Sequence, residues 1–245
     1  MQGRLDRDDR GSKAGVKGTL PSIQKILPKP IYRWVLHFEA KLEESVEEFS
    51  LTLPEHSLLL DAGAGEARFA ALFERHRYVG VDLGVGDVAW DYSRIDAQAD
   101  LARLPFRDAS FDAAIHIVTL EHVPEPALVL RELGRVLRPG GRLFLVVPHE
   151  WEEHQQPHDY FRYTRYGLEY LLTQARMRVN RLEPVGGYFR LLSRRLFNGA
   201  QFFGGPGALL WLLLVSPVAL VLPWLEGLDR EKHFTLGYIC EAQKL

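Results

Sequence analysis

Three aspartates, each closing a short apolar run, are the residues of this chain best placed to hold a ligand. Asp61 ends LLLD (58–61), Asp82 ends YVGVD (78–82) and Asp100 ends IDAQAD (95–100). Gly63 and Gly65 follow Asp61 in DAGAGEARFA. Two glycines there let the backbone turn tightly and come close to a ligand, where side chains would block it. The next segment, EARFAALFERH, reads as a helix whose first N–H groups point at whatever sits in the turn. A carboxylate at position 82 can accept hydrogen bonds from both hydroxyls of a ribose, charge-assisted bonds worth about 1.5–3 kcal/mol each. Asp100 stands where an adenine amino group would be met.

A GxG turn by itself also serves dehydrogenases, flavoproteins and plain structure. Two details narrow the choice. Arg68 occupies the position where a dinucleotide fingerprint wants a third glycine. Asp61 places a carboxylate beside the turn, which is poor company for a pyrophosphate and suits a cation carrying amine and sulfonium groups. The charge argument favours S-adenosylmethionine over NAD.

The elements that must position these groups form an alternation. Short apolar runs lie at 58–63, 78–82, 95–100, 111–118, 142–148 and 177–185, with FTLGYICEAQ (234–243) as a closing strand. Helical patterns lie between, notably PALVLRELGRVL (126–137), ended by RPGG, and GLEYLLTQA (167–175). Such a pattern argues for a parallel sheet with helices on both faces. Ahead of it, Ile31, Trp34, Val35, Phe38, Leu42, Val46 and Phe49 follow helical spacing and predict an amphipathic helix packed on the domain. Residues 1–30 show no sustained period and read as a mobile arm, leaving 31–245 as the domain. Apolar residues at 47% and charged residues at 25% allow a full core, and a formal charge of −2 gives no footprint for nucleic acid as a partner. Cys240 is the single cysteine, which excludes an internal disulfide.

The succession DAGAGEARFA, YVGVD, ADLARLPFRDASFDAAI and LEHVPEPALVLRELGRVLRPGGRLFLVVP resembles the class I S-adenosylmethionine-dependent methyltransferases, specifically their type 11 branch. The resemblance covers residues 55–175 well and the last strands loosely. It implies an α/β fold, a Rossmann-like seven-stranded mostly parallel sheet with an antiparallel last strand. By this resemblance Asp61, Gly63 and Gly65 line the methionine end of the cofactor. Asp82 with Leu83 holds the ribose, Asp100 with Leu101 the adenine, and Thr119 and His122 flank the sulfonium. The sequence departs from the family where LGVGDVAWDYSRI replaces the usual helix between the second and third strands, so Trp90 or Tyr92 is expected to wall the adenine by stacking. Glu66 stands where many relatives carry a small residue.

On the acceptor side, PHEWEEHQQPHDYFRYT (148–164) follows the fifth strand. His149 lies nearest the strand end and is the expected catalytic base, since an imidazole with an ordinary pKa near 6.5 suits neutral operation. His149, His154 and His158 are separated by five and four positions in a loop holding Pro157, so no helical face gathers them and no metal site is expected. Asp159, Arg162 and Thr164 read as structural, with Thr164 capping the next helix. VTLEHV lacks the Asn/Asp-Pro-Pro-aromatic signature of many enzymes that methylate planar amino groups, which favours transfer to oxygen or carbon.

One stretch is out of keeping with a soluble domain. Leu196–Leu225 carries no charge, and ALLWLLLVSPVALVLPWL (208–225) is almost wholly apolar. Pro217 is expected to divide it into halves of roughly 13 Å at about 1.5 Å per residue, short of the ~30 Å hydrocarbon core. A single crossing would also strand the closing strand on the far side. The expected form is an apolar helical insert over about 190–230, dipping into a membrane surface through 204–225, with packing as ordinary core or in an interface as the competing reading. Trp211 and Trp224 and the flanking Arg194, Arg195, Arg230 and Lys232 suit such a contact. The opening MQGRLDRDDRGSKAG holds no apolar run, so a cytoplasmic enzyme peripheral at the inner face of the membrane is expected. Its expected acceptor is a small molecule, which a position at the membrane would allow to be lipid-linked. A soluble methyltransferase for a sugar or metabolite, and a non-catalytic binding protein on the same fold, are the competing readings.

Overall fold

The computed structural model describes residues 28–87 and 89–245. The expected arm therefore lies almost wholly outside the described residues. Seven strands form one sheet: β1 Leu58–Ala62, β2 Arg77–Asp82, β3 Ala97–Gln98, β4 Phe111–Ile117, β5 Leu137–Pro148, β6 Met177–Val185 and β7 Gly237–Lys244, in the order β3-β2-β1-β4-β5-β7-β6. β1 to β5 pair in parallel, and β7 runs antiparallel to both of its neighbours, β5 and β6. This is the expected Rossmann-like sheet. Strand β5 starts earlier than expected and carries RPGG inside it. Gly140 there takes φ +77 and the register against β4 shifts between Phe111 and Ala113, so the glycines bend the strand instead of delaying it.

Alternation along the strands explains why their sequences are apolar throughout. Leu143, Leu145 and Val147 pack on one face with α3 (Pro126–Val136) and α4 (Arg165–Gln174), through Leu130, Leu133, Leu168 and Leu172. Phe144 and Val146 pack on the other with α2 (His37–Thr52), through Phe38, Leu42, Val46 and Phe49. Both faces are dry, so side chains pointing either way must be apolar. Thr164 caps α4 as expected, its Oγ1 accepting from Gly167 N at 3.1 Å.

Three expectations need correction. The amphipathic helix is two: α1 (Lys29–Val35) and α2 are separated at Leu36, whose φ −104 and ψ 53 are not helical. Ile31 faces solvent as a result. The helix expected from Glu66 does not form. Gly65 and Ala67 both take left-handed φ, +51 and +56, so the chain passes through tight turns into a single short 3-10 segment, Ala70–Phe73. Among the described residues, no α-helix therefore begins at the glycine turn.

Pro217, thirdly, does not split the apolar segment. It lies inside one helix, α6 (Gly205–Val221), continued by a 3-10 turn over Leu222–Leu228. Side-chain bonds hold α6 to α5 (Tyr188–Asn198) on either side of the proline: Trp211 Nε1 donates to Leu196 O at 2.8 Å and Ser193 Oγ to Ala219 O at 2.7 Å. A proline removes one backbone bond and can be carried by a helix pinned at both flanks. Gly205–Leu228 is long and apolar enough to cross a membrane, with only 11% of its most apolar 18-residue window buried. Leu209, Leu210, Leu213, Leu214, Val218 and Trp224 are all exposed, Leu213 at 65% and Trp224 at 74%. Among the described residues, nothing covers this face as core. α5 and α6 leave the sheet after β6 and return the chain to β7, which pairs with β5 and β6 along its whole length.

Candidate active site

Because β3, β2, β1, β4 and β5 are parallel neighbours, their carboxyl ends form one edge. Along it stand Asp100, Asp82, the Gly63–Gly65 turn, Thr119 and His149, in that spatial order. Ligands of open α/β sheets bind at this edge.

The glycine turn is tightly fixed. Gly63 takes φ +86 and a side chain there would overlap Thr119, whose Oγ1 donates to Ile117 O at 3.0 Å. Gly65 N donates to Asp82 Oδ2 at 2.9 Å and Gly84 N to Asp82 Oδ1 at 2.8 Å. Backbone amides thus orient the Asp82 carboxylate, and each oxygen keeps acceptor capacity for a ribose hydroxyl. Trp90 lies over Gly65, within 3.3 Å of where a Cβ would be, and Glu66 Oε1 accepts from Asp91 N at 3.1 Å. The short segment after β2 is clasped onto the turn, and Tyr92 Oη receives Gly86 N at 2.8 Å. Asp100 is exposed and its Oδ1 caps Ala102 N at 2.9 Å, while Leu101 is buried and Leu83 exposed.

Asp61 sits behind the turn. It is 3% exposed, accepts a 2.5 Å hydrogen bond from Tyr78 Oη, and burial pushes its carboxyl up to about 7. Next to it, His116 is fully buried on β4, with Nδ1 2.6 Å from Ala62 O and its pKa lowered by burial to about 4. A neutral imidazole therefore donates to the last carbonyl of β1. Nothing in the spacing of the sequence singled out His116, since it reads as one position of an apolar strand.

The acceptor side is assembled from two loops. The turn after β4, Leu120–His122, is stapled to the 149–164 segment: Tyr160 N donates to Glu121 O at 2.8 Å and Tyr163 Oη to Leu120 O at 2.8 Å. Asp159 and Arg162 pair through two bonds of 2.6 and 2.7 Å, and Arg162 also donates to Glu152 O at 2.8 Å, the structural part expected of them. Burial works against the Asp159 carboxylate, but Arg162 and the His154 amide hold its pKa at about 2. His149 Nδ1 lies 2.9 Å from Tyr163 O. It donates there, which leaves Nε2 as the lone-pair nitrogen that a base requires. The three loop histidines do not come together. Instead Glu121, His122 and His154 converge, with one ligand atom of each within 4.8 Å of the others. Glu121 escaped notice in the sequence because it adjoins an apolar run and nothing marks it as inward-facing.

This edge, on this sheet, is the fold that the sequence's resemblance to the class I S-adenosylmethionine-dependent methyltransferases implies. Residues 60–145 match the family model described as a methyltransferase domain. The chain is similar to a tRNA (carboxymethyluridine(34)-5-O)-methyltransferase of Arabidopsis thaliana, 31% identical over 155 residues, 59% of this chain and 37% of that protein. It is also similar to the 27-O-demethylrifamycin SV methyltransferase of Amycolatopsis mediterranei, 50% identical over 54 residues, 20% of each. The chain thus spans well under half the length of these relatives. Among solved structures, the 4+2 cyclase SpnF superposes with a TM-score of 0.55 at 24% identity, covering 83% of this chain and 80% of that one. An S-adenosylmethionine-dependent methyltransferase from Mesorhizobium loti superposes with a TM-score of 0.52 at 17% identity, covering 82% and 96%. The cofactor of the family is S-adenosylmethionine, and the Gly63–Gly65 cradle with the amide-oriented Asp82 fits its nucleoside.

Proposed function

We propose that the chain transfers a methyl group from S-adenosylmethionine to an oxygen or carbon of a small, lipid-linked acceptor, working at a membrane surface. The observation that carries the transfer reading is the Asp82 carboxylate, aimed by the Gly65 and Gly84 amides at the mouth of the glycine turn. Bound there, the cofactor supplies a methyl carbon already activated by its sulfonium. The protein then has to align the acceptor and take its proton. Asp61, Gly63 and Gly65 with Thr119 support the methionine end, Asp82 with Leu83 the ribose and Asp100 with Leu101 the adenine. His122 borders the sulfonium side. His149 is the group for the proton, its Nε2 freed by the Nδ1–H bond to Tyr163.

The membrane part rests on α6. A helix this apolar and this exposed removes a large penalty by lying against lipid, at about 25 cal/mol per Å² buried. With Pro217 inside one helix, the α-helical part alone runs about 26 Å, so length no longer argues against a crossing. Topology does, because β7 must return to the sheet that β6 left. An in-plane attachment satisfies both. Arg195 links the insert to the acceptor loop, donating to Glu152 Oε2 at 2.6 Å and to Glu150 O at 2.9 Å. An acceptor drawn from lipid would thus emerge beside His149 and His154.

The same sheet also superposes on a cyclase, and a fold does not fix a chemistry. Calorimetric titration with S-adenosylmethionine and with NAD tests the cofactor assignment. One equivalent of the former and none of the latter is expected; no binding of the former overturns the assignment.

A further inference from the structure

We infer that Glu121, His122 and His154 form a divalent metal site of the zinc type, with two imidazoles, one carboxylate and an open position. His122 Nε2 stands 3.1 Å from His154 Nε2 and 3.7 Å from Glu121 Oε1. Their protonation is fixed from behind. His122 Nδ1 lies 2.5 Å from the carbonyl of His158, which can only accept. His154 Nδ1 lies 3.1 Å from the Glu152 carbonyl and 3.4 Å from Asp159 Oδ2, again two acceptors. Both Nδ1 atoms therefore carry the proton, and two Nε2 lone pairs face each other. Lone pairs in that arrangement repel unless a cation lies between them.

The third donor is independent of the histidines. Glu121 is 0% exposed, and neither carboxylate oxygen has a hydrogen-bond partner. Buried polar atoms without partners are costly unless a ligand satisfies them. Arg162 is committed to Asp159 and to backbone carbonyls. The separation of the two imidazole nitrogens matches a metal: two nitrogens bound to tetrahedral zinc at 2.0–2.1 Å stand about 3.3 Å apart. Backbone carbonyls and Asp159 behind the ligating imidazoles supply the outer shell that metal-binding histidines need. The donor set, two His and one Glu, is that of sites with an exchangeable fourth ligand. Side-chain exposure of 26% at His154 leaves a route in from solvent.

The cluster lies between Thr119 and His149 on the sheet edge. A hydroxyl of the acceptor taken as fourth ligand would lose its proton more readily and face the methyl donor, with the proton passing to His149. That step rests on the methyltransferase reading; metal binding does not.

The test uses the full chain, tag-free and stripped with a chelator, titrated with zinc against a chromophoric chelator. One equivalent bound with submicromolar affinity is expected, and cobalt in its place should give the visible absorption of a four- or five-coordinate ion. His154→Ala, in a half-buried loop, and Glu121→Gln should each weaken zinc at least 100-fold, with His56→Ala, exposed ahead of β1 at the opposite edge of the sheet, unchanged. Thermal melts of the metal-free variants check folding. No tight equivalent, or affinity unmoved by His154→Ala, overturns the site and means that the two imidazoles share a proton instead. Zinc bound as expected by a protein that binds no S-adenosylmethionine would retain the site and remove the methyltransferase reading.

Discussion

The two ends of the sheet's carboxyl edge are built on opposite principles. At the β1–β2–β3 end each polar group already has a backbone partner: Asp82 holds the Gly65 and Gly84 amides and Asp100 holds the Ala102 amide. At the β4–β5 end the polar groups of Glu121, His122 and His154 face one another with donors and acceptors unbalanced. The first end is complete as a scaffold and waits for a neutral-to-cationic nucleoside ligand. The second leaves buried polar atoms without partners. Preorganisation by local amides suits a cofactor that never varies, whereas a gap between two loops suits an acceptor that must enter, react and leave.

The sharpest way to break this contrast is to perturb each end separately. Asp82→Ala removes two charge-assisted acceptors and is expected to weaken S-adenosylmethionine at least tenfold, with zinc affinity unaltered. His154→Ala should do the reverse. Parallel titrations of both ligands on both variants check this, and a common loss in either variant would show that the two ends are one site.

A smaller effect, still several-fold, is expected at the insert. Leu213→Glu with Leu214→Glu places charge on the exposed face of α6 without touching the bonds from Trp211 and Ser193 that hold it. Flotation with vesicles of mixed zwitterionic and anionic lipid should lose most of the bound protein, while cofactor affinity stays. Loss of cofactor affinity as well would make α6 part of the active-site support.

The smallest effect concerns Asp61. Burial raises its carboxyl to about 7 in the folded chain, above an ordinary value of about 3.9. The folded state therefore holds the extra proton between those values, and this contribution to stability is lost as pH rises through about 7. Asp61→Asn should flatten that part of the pH dependence in urea unfolding. An unchanged slope would mean that Asp61 is ionised in the fold.

Much of the cofactor half was legible because its logic is local. Asp61, Gly63, Gly65 and Asp82 lie at strand ends that apolar runs mark plainly, and their partners are near in sequence or on the neighbouring strand. The same reading missed the left-handed turn at Ala67, because an alanine-rich amphipathic stretch carries helix propensity and a turn forced by tertiary packing leaves no such mark. It misjudged Pro217 for a related reason: the bonds that carry the proline come from α5, not from α6 itself. The acceptor half was least legible. His154 is 32 positions from His122, and only the staple between Glu121 and Tyr160 brings their loops together. Spacing within the 149–164 loop argued against a metal site and gave no sign of partners outside that loop.

The most direct measurement is incubation of the full chain with methyl-labelled S-adenosylmethionine and a whole extract of the source cell, followed by partition between organic and aqueous phases. Label carried into the organic phase, dependent on Asp82 and on an intact α6 face, is the predicted result. Label confined to aqueous small molecules, or no label despite demonstrated cofactor binding, would contradict a membrane-facing methyltransferase.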